Sequence, residues 1–415
     1  MALNLLRNSR VFFTTNLDSS GKVDTTAVMT ASTTREIQVL DGFSFSQNTG
    51  QETVTTNEAG IAPIRGQRSF NTSLEPVDWS FTTYIRPVIG EGATVTTGID
   101  ADDVVDCEES VLWGAMSSVT GNGWTQTTGT VTGSPASYSA KPFSTVAFTN
   151  SNAHQLQPFG LIIVFDDVTY VIDNCAIDSA TIDFGIDAIA AIQWAGKGTE
   201  MRQLANTVII GTATGTPATV ALTGGITGAG AVAKAKDTNA RFIANKLSTM
   251  TLASSTFGGL TATSYTIALT GGNLTISNNL TYLTPANLGV VNRPITYFTG
   301  TRSVTSNVTA YLKTGTTGSP ALAQGAGLLK DLLAASSSST ENKFAVVVSM
   351  GGASNDTRVD LSMPTVQLTI PSITSEQIIS TSITMTAQGS TTGLAGGTYD
   401  LEKTNELSLK YYAAV

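Results

Sequence analysis

The stretch that decides the fold is Arg358–Gly389, with the sequence RVDLSMPTVQLTIPSITSEQIISTSITMTAQG. Apolar and polar residues alternate on both sides of a central polar segment, and a period of two is typical of strands with one buried face. The first half of the chain ends in the same way, with AIAAIQWAGKG at Ala188–Gly198. Both stretches therefore predict a final alternating strand in a β-rich unit.

Working outward from this stretch, the chain resembles itself along its whole length. Internal repeats change the expected architecture, so collinear matches carry weight even where identity is low. Five segments recur in the same order: Asn8–Asn16 with Asn239–Leu247, Arg35–Ser46 with Tyr265–Ser277, Ser80–Pro87 with Asn307–Thr314, Phe159–Phe165 with Lys343–Met350, and Ile186–Gly198 with Gln377–Gly389. These matches align Arg10 with Arg241, Ile37 with Ile267, Tyr84 with Tyr311, and Trp194 with Met385.

The repeat predicts a mainly β fold of two tandem β-sandwich or barrel domains, each with one flanking α-helix and a long hairpin loop. We expect the first copy at residues 1–199 and the second at 239–390. Residues 200–238 between them are rich in Gly, Ala and Thr, and predict either a connector or an extra strand pair. Residues 391–415 form a C-terminal extension whose LSLKYYAAV, at Leu407–Val415, predicts a closing strand.

One amphipathic helix is expected in each copy. Apolar residues at helical spacing predict a helix over Asp100–Ser118 in the first copy and over Ala321–Ala335 in the second. In the first helix, Asp100, Asp102 and Asp103 would lie at the N-terminus, where carboxylates complement the backbone dipole.

Composition and charge exclude several classes of protein. Only 13% of the 415 residues are charged, which is about half the globular norm of roughly 25%. Residues 1–199 hold 9 Lys and Arg against 21 Asp and Glu, a net of −12, whereas residues 200–415 hold 13 against 10, a net of +3. An acidic total argues against a protein that wraps nucleic acid. The acidic part is therefore expected either to be a solvated acidic face or to contact the basic part, within one chain or between chains.

The residues needed for chemistry are scarce. The single histidine, His154, has no neighbouring nucleophile, and no phosphate-binding, zinc-binding or dinucleotide-binding motif is found. We expect no enzymatic activity, no metal and no cofactor. Cys107 and Cys175 are expected to be small buried hydrophobic residues, with a bridge between them left open, and Trp113 and Trp194 are expected in the core. No apolar run reaches the ~18 residues of a membrane helix, so we expect no membrane span.

On these segments the chain resembles the tail tube proteins of tailed bacteriophages. The resemblance rests on the long-loop hairpin, the helix that follows it and the final strand unit of Arg358–Gly389 and Ala188–Gly198. It implies a structural virion protein whose stacked rings form a conduit for DNA ejection, with a continuous inner β-barrel. An acidic channel wall would repel phosphate, so DNA would pass without specific binding.

The resemblance also implies which residues mediate assembly. The long loop Gln47–Ser69 and its counterpart Asn278–Pro294 would reach a neighbouring subunit or ring. Their charged residues are the expected contact residues, namely Glu52, Glu58, Arg65, Arg68 and Arg293.

The duplication departs from simpler members of this family, which form hexameric rings from one tube domain per chain. Two copies in one chain imply trimeric rings with pseudo-sixfold symmetry. The resemblance implies self-assembly in the host cytoplasm into a virion tail, with sheath, tape-measure and baseplate or terminator proteins as further partners. The alternatives are a Thr/Ser-rich surface adhesin and another phage structural protein, of the head decoration or the baseplate.

Overall fold

The structure is a computed structural model of the 415-residue chain. It describes residues 9–24, 29–30, 33–54, 68–90, 98–118, 120–148, 155–165, 168–204, 226–227, 242–254, 264–313, 325–335, 344–352, 356–370, 372–374, 378–389 and 406–414. We call residues 9–204 the first half and residues 242–414 the second half.

Among its described residues, the first half contains fifteen strands and one α-helix. The strands are β1 (Arg10–Thr14), β2 (Met29–Thr30), β3 (Thr34–Ile37), β4 (Ser44–Val54), β5 (Arg68–Tyr84), β6 (Val88–Gly90), β7 (Val104–Asp106), β8 (Trp124–Thr127), β9 (Thr130–Thr132), β10 (Ser137–Ala140), β11 (Phe143–Ala147), β12 (Phe159–Phe165), β13 (Val168–Asp183), β14 (Ala191–Gly198) and β15 (Glu200–Leu204). The helix α1 (Ser110–Ser117) lies between β7 and β8.

The second half is also mainly β. After β16 (Ile226–Thr227), its strands are β17 (Thr249–Ser254), β18 (Ser264–Ile267), β19 (Leu269–Ser277), β20 (Leu280–Leu283), β21 (Thr296–Thr299), β22 (Ser303–Tyr311), β23 (Phe344–Gly351), β24 (Arg358–Leu368), β25 (Ser372–Thr374), β26 (Ser380–Ala387) and β27 (Ser408–Tyr412). The helix α2 (Gly325–Ala335) precedes β23, and a short 3-10 helix occupies Asn245–Leu247. The prediction of a mainly β fold is confirmed.

Two antiparallel sheets pack face to face in the first half. One sheet runs β3–β1–β12–β13–β15, and the other runs β4–β5–β14–β13. The long strand β13 belongs to both, because its N-terminal part pairs with β12 and β15 and its C-terminal part with β14. Aromatic rings pack between the sheets. The ring centroid of Phe159 on β12 lies 4.6 Å from that of Phe13 in its own sheet and 5.9 Å from that of Trp79 on β5 in the other sheet.

The second half has an equivalent set of pairings. β17 pairs with β18 and β23, β24 with β23, β26 and β27, and β22 with β19 and β26, while β25 continues along β26. β17, β18, β19, β22, β23, β26 and β27 thus occupy the positions of β1, β3, β4, β5, β12, β14 and β15. β24 together with β25 occupies the position of β13.

The two halves share one core. Buried side chains of both, such as Trp194 and Met385, belong to a single apolar cluster. The expected closing strand is present as β27, which pairs with β24 of the second half and with β11 of the first. Trp113 of α1 donates a hydrogen bond of 2.6 Å to the hydroxyl of Tyr411 on β27, so the helix of one half is fixed to the last strand of the chain.

The first predicted helix begins too early. It starts at Ser110 instead of Asp100, and Val104–Asp106 form strand β7, which pairs with β6. The apolar residues of this segment fit an alternating pattern as well as a helical one, and the pairing with β6 decides between them. Asp100, Asp102 and Asp103 therefore lie before β7 and not at the helix N-terminus. The second helix is observed over Gly325–Ala335, and residues 321–324 lie outside the described residues.

The expected hairpin loops are partly strand. Much of Gln47–Ser69 belongs to β4 and β5, which extend as far as Val54 and Arg68, and residues 55–67 lie outside the described residues. The counterpart loop Asn278–Pro294 contains β20. Within the expected connector 200–238, Glu200–Leu204 form β15, which pairs with β13, and Ile226 and Thr227 pair in parallel with Met29 and Thr30.

Several expectations about single residues can be compared with the structure. Trp113 and Trp194 are fully buried, as expected for core residues. Cys107 and Cys175 are buried and free. His154 lies outside the described residues. Among the helices the structure describes, none combines the length and the apolar character that crossing a membrane requires.

Candidate assembly surface

A continuous sheet crosses from one half to the other. β13 pairs antiparallel with β19, so that Ser179 faces Ser277, Thr181 faces Thr275 and Asp183 faces Asn273. We call this β13–β19 contact the seam. Because β13 also pairs with β14, and β19 with β22, the sheet order is β4–β5–β14–β13–β19–β22–β26–β25.

Hydrogen bonds extend the seam beyond the strand pairing. At one end, Phe184 donates its backbone N–H to the carbonyl oxygen of Gly272 at 3.0 Å. At the other end, Asn278 donates to the carbonyl oxygen of Asp178 at 2.7 Å, and the Asp178 carboxylate accepts the Leu280 N–H at 2.8 Å. The seam is therefore a continuous run of backbone hydrogen bonds, with further hydrogen bonds beyond the paired strands at both ends.

One face of the seam is apolar and buried. Ile182 and Ala180 of β13 lie opposite Leu274 and Ile276 of β19, and all four side chains are buried. Burial of aliphatic side chains on this scale contributes about 1.5–3 kcal/mol for each large residue. This face joins the common core, so the halves are held by apolar packing as well as by backbone pairing.

The opposite face of the same sheet is polar and mostly hydroxylated. Residues that lie directly opposite each other share a face, and hydroxyl pairs confirm it: Ser44 with Ser80 at 3.0 Å and Thr181 with Thr275 at 3.1 Å. The residues of this face include Ser44, Ser46, Asp78, Ser80, Thr82, Tyr84, Ser179, Thr181, Asp183, Gln193, Ala195, Lys197, Asn273, Thr275, Ser277, Thr305, Asn307, Thr309, Tyr311, Ser382, Thr384 and Thr386. We call it the hydroxyl face.

Few charges interrupt the hydroxyl face. Lys197 pairs with Asp78 at 2.5 Å, and Asp183 lies near the end of β13, where it accepts the Gly185 N–H at 3.0 Å. These three charges sum to −1, so the face is close to neutral although the first half of the chain is strongly acidic.

The sheet has an open edge at each end. Among the described residues, β4 pairs with β5 alone and β25 pairs with β26 alone. Ile373 in the middle of β25 exposes 54% of its surface, and Ile370 just before it exposes 50%. Unpaired edges carrying apolar side chains favour pairing with another strand.

Comparison with known proteins identifies a relative of this chain. No protein-family model matches the chain. A curated relative, the tail tube protein pb6 of Escherichia phage T5, is 31% identical over 385 residues, which cover 92% of this chain and 72% of the relative. The chain belongs to the phage tail tube proteins. This confirms the family expected from Arg358–Gly389, and it favours the tail tube over the adhesin, decoration and baseplate alternatives.

The expected contact residues of this tail tube protein fall in two places. Glu52 and Arg68 lie near the tip of the β4–β5 hairpin, where Glu52 faces Phe70, and all three are exposed. Glu58 and Arg65 lie outside the described residues. A role of these four residues and of Arg293 in contacts between subunits stays a prediction.

Arg293 has a partner within its own chain. Its guanidinium donates to the Glu200 carboxylate at 2.8 Å, which joins the loop before β21 to β15 of the first half. The neighbouring Asn292 exchanges backbone hydrogen bonds with Thr72 and Leu74 of β5, at 3.2 Å and 2.8 Å. This loop of the tail tube protein therefore binds the first half. Sequence spacing did not indicate the contact, because 93 residues separate Arg293 from Glu200.

One group of carboxylates comes together before β7. Asp100, Asp102 and Asp103 each bring an oxygen within 4.8 Å of the others. Asp103 already accepts hydrogen bonds from the Tyr138 hydroxyl and the Asp100 N–H. Burial raises the pKa of Tyr138, and its hydrogen bond to Asp103 raises the pKa further. These contacts account for the cluster as a structural feature of the loop.

Proposed function

We propose that the chain is a structural subunit that assembles into stacked rings, which form the phage tail tube and conduct DNA during ejection. The observation that carries the proposal is a single sheet spanning both halves, with one polar face and two open edges. The tail tube relative supports the same role. The part played by the chain is mechanical, so we propose no enzymatic activity and no cofactor.

The proposal includes a tandem duplication, with copies near residues 1–199 and 239–390. Support comes from the recurring strand pairings. When residues of the first half are matched with residues of the second, residues that lie opposite each other in the first half match residues that lie opposite each other in the second. Pairing Ile37 with Ile267 and Phe159 with Phe344 reproduces the partners of β1, β3 and β12 in β17, β18 and β23. Pairing Tyr84 with Tyr311 does the same for β5 and β22.

This correspondence changes two of the sequence matches. Trp194 lies opposite Phe81, and the equivalent position in β26 is Ile383, opposite Val308, instead of Met385. The first match also shifts, because β17, which begins at Thr249, has the pairings of β1. Arg10 therefore corresponds to Thr249 and not to Arg241. Both shifts keep the order of the segments, so they leave the proposed duplication intact.

Three chains in each ring would supply six copies of the tube domain in pseudo-sixfold symmetry. The acidic first copy would alternate with the weakly basic second copy around the ring. Net charges of −12 and +3 favour that alternation, because unlike surfaces attract and like surfaces repel.

The hydroxyl face supports a conduit for DNA. If it lines the channel, DNA meets small neutral hydroxyl groups with a net charge of about −1 per chain. Phosphate binding depends on Lys and Arg that release counterions, and Lys197 is already paired with Asp78. DNA would therefore slide without specific contacts.

The proposed location is the virion tail, after assembly in the host cytoplasm. Sheath, tape-measure and baseplate or terminator proteins are the proposed further partners. The β4–β5 hairpin with Glu52 and Arg68, and residues Glu58, Arg65 and Arg293, would contact a neighbouring subunit or ring.

Electron microscopy of tails isolated from virions that contain this chain tests the ring. We expect a hollow tube whose rings each hold three chains and six similar lobes. Rings of six whole chains, or halves stacked along the tube axis, would contradict the trimeric arrangement. A tail in which this chain lies outside the tube would contradict the function itself.

Positive charge on the hydroxyl face should slow DNA passage. Thr309→Lys with Thr384→Lys adds two exposed cations per chain on neighbouring strands β22 and β26. We expect tubes of normal shape but slower ejection, which recovers as salt rises because phosphate binding weakens with salt. The measurement is the ejection rate from purified phage across salt concentrations.

The matched control is Thr127→Lys, an exposed threonine on β8 away from the hydroxyl face. Its ejection rate should equal that of the natural chain. Equal ejection rates for the natural phage and both variants would show that the hydroxyl face does not line the channel.

A further inference from the structure

Asn122 and Gly123 form the one Asn–Gly pair in the sequence. In such a pair the backbone nitrogen of the glycine can approach the side-chain amide of the asparagine, because glycine has no Cβ and a permissive backbone. Attack by that nitrogen is the chemistry of asparagine deamidation, which makes asparagine one of the thermolabile residues of proteins. The pair is therefore a candidate site of covalent modification, separate from any role in assembly.

The structure places this pair where the attack can occur. It lies in the turn between α1 and β8, and Asn122 is exposed to water. Exposed turns are the parts of a fold whose backbone changes conformation at the lowest cost. Among the described residues, the Asn122 side chain and the Gly123 N–H take part in no hydrogen bond. No such bond therefore has to break before the nitrogen attacks.

The turn is anchored on both sides of the pair. On the side of α1, Gly121 packs so closely on the helix that a Cβ added at Gly114 would lie 2.4 Å from the Gly121 carbonyl oxygen. On the side of β8, Trp124 lies opposite Val146 of β11, and its ring centroid is 5.0 Å from that of Tyr411 on β27. The two residues between these anchors thus form a short exposed link.

We infer that Asn122 is a site of spontaneous deamidation in the folded subunit. The Gly123 nitrogen forms a bond to Cγ of Asn122, the bond from Cγ to Nδ2 breaks, and the amide nitrogen leaves as ammonia with the proton that the backbone nitrogen loses. Water then adds to one of the two carbonyl carbons of the resulting succinimide ring. The ring opens to aspartate or isoaspartate, and either product adds one negative charge. Water is the only co-reactant.

The isoaspartate product changes the length of the main chain. In isoaspartate the chain runs through the side-chain carboxyl carbon, so one extra carbon atom is inserted between the anchors Gly121 and Trp124. Gly121 is packed against helix backbone, whereas Trp124 is only half-buried. The extra atom therefore displaces Trp124 from Tyr411 and weakens the pairing of β8 with β11.

Asn287 is a matched comparison within the same chain. It is also an exposed asparagine in a loop, but Leu288 follows it. A residue with a Cβ restricts the backbone conformations from which its nitrogen could attack the preceding side chain. Asn287 should therefore deamidate slowly, although water reaches both asparagines.

The test is peptide mapping by mass spectrometry after incubation of the unassembled natural subunit at pH 6 and at pH 8, with digestion at low pH. We expect the Asn122 peptide to exchange its amide for a carboxyl group more than about tenfold faster than the Asn287 peptide. The rate should be higher at pH 8, because the attacking nitrogen must lose its proton. Asn122→Gln should stay unmodified, since its longer side chain would have to close a less favourable six-membered ring.

The same measurement on the subunit denatured in urea separates the effect of the fold from that of the sequence. We expect Asn122 to be modified in both states at rates of the same order. Modification in the denatured chain with protection in the folded subunit would overturn the inference, as would equal rates at Asn122 and Asn287. The result does not depend on the proposed ring, so either proposal can fail alone.

Asn122→Asp separates the added charge from the added main-chain atom. This variant carries the same carboxylate with a main chain of normal length, at an exposed position. We expect it to unfold at the same urea concentration as the fresh natural subunit, whereas natural subunits that have accumulated isoaspartate should unfold at a lower one. Equal unfolding of fresh and isoaspartate-containing subunits would overturn the displacement of Trp124.

Discussion

Replacing Asp173 with alanine should lower the free energy of unfolding by about 3–5 kcal/mol, the usual cost of breaking a buried ion pair from one side. Asp173 is fully buried on β13, and Arg202 of β15 binds both its oxygens, through Nε at 2.5 Å and a terminal nitrogen at 2.8 Å. The same carboxylate accepts the Val23 N–H at 2.9 Å. The substitution would therefore remove the carboxylate that Arg202 and the Val23 N–H share, and leave Arg202 only the Val23 carbonyl oxygen at 3.3 Å.

Arg202 cannot reduce the cost of removing Asp173 by releasing its own proton. Hydrogen bonding to Asp173 raises the pKa of Arg202, whereas partial burial lowers it, and the first effect dominates. A guanidinium stays protonated in proteins at all ordinary pH values. Removing the aspartate thus leaves the positive charge of Arg202 near the apolar cluster of Phe12 and Val171, without the carboxylate that balances it.

The measurement is urea unfolding of the unassembled subunit at pH 7. Asp78→Ala is the matched control, because Asp78 pairs with Lys197 at 2.5 Å but is largely exposed, and surface pairs contribute about 0–1 kcal/mol. Equal losses for the two variants would show that the Asp173 pair does not fix β15 to β13.

The strands with one buried face were accessible from the sequence. β22, with SVTSNVTAY, alternates exposed and buried residues along its whole length, and the period of two in Arg358–Gly389 became β24, β25 and β26. Alternation of apolar and polar residues depends on which face of a strand is buried. It can therefore be recognised in the sequence without knowing which strands pair.

Features that depend on distant partners were not accessible. The segment from Val104 to Asp106 satisfied a helical pattern, and only its pairing with β6 makes it a strand. The ion pair of Arg293 with Glu200 joins residues that are far apart in the sequence. The seam and the Asp173–Arg202 pair carried no local signal, because small polar residues at Thr181 and Thr275 suit any exposed strand.

Replacing Glu109 with glutamine should stabilise the subunit increasingly as pH rises from about 4.5 to about 8. Glu109 immediately precedes α1 and is fully buried. Burial raises its pKa from 4.5 to about 8, and the neighbouring Glu108 adds to the shift. A helix N-terminus favours a carboxylate by only about 0.3–1 kcal/mol, so the cost of burying the charge outweighs the helix dipole.

The direction follows from proton linkage. The folded chain holds a proton on Glu109 that the unfolded chain releases above pH 4.5, so the stability of the natural chain is fully present below that pH and is lost as pH rises towards 8. A difference of that size corresponds to roughly 4 kcal/mol at pH 8. Glutamine resembles the protonated acid in shape and does not titrate, so the variant avoids this loss.

Thermal and urea unfolding of Glu109→Gln and the natural subunit at pH 5, 6.5 and 8 measures the effect. We expect similar stability at pH 5 and a gain at pH 8 that exceeds the gain at pH 6.5. Glu52→Gln removes an exposed carboxylate on β4 and should follow the natural chain at every pH. A constant difference between Glu109→Gln and the natural chain across this range would mean that Glu109 stays ionised in the fold, so that its environment supplies more stabilisation to the charge than burial removes.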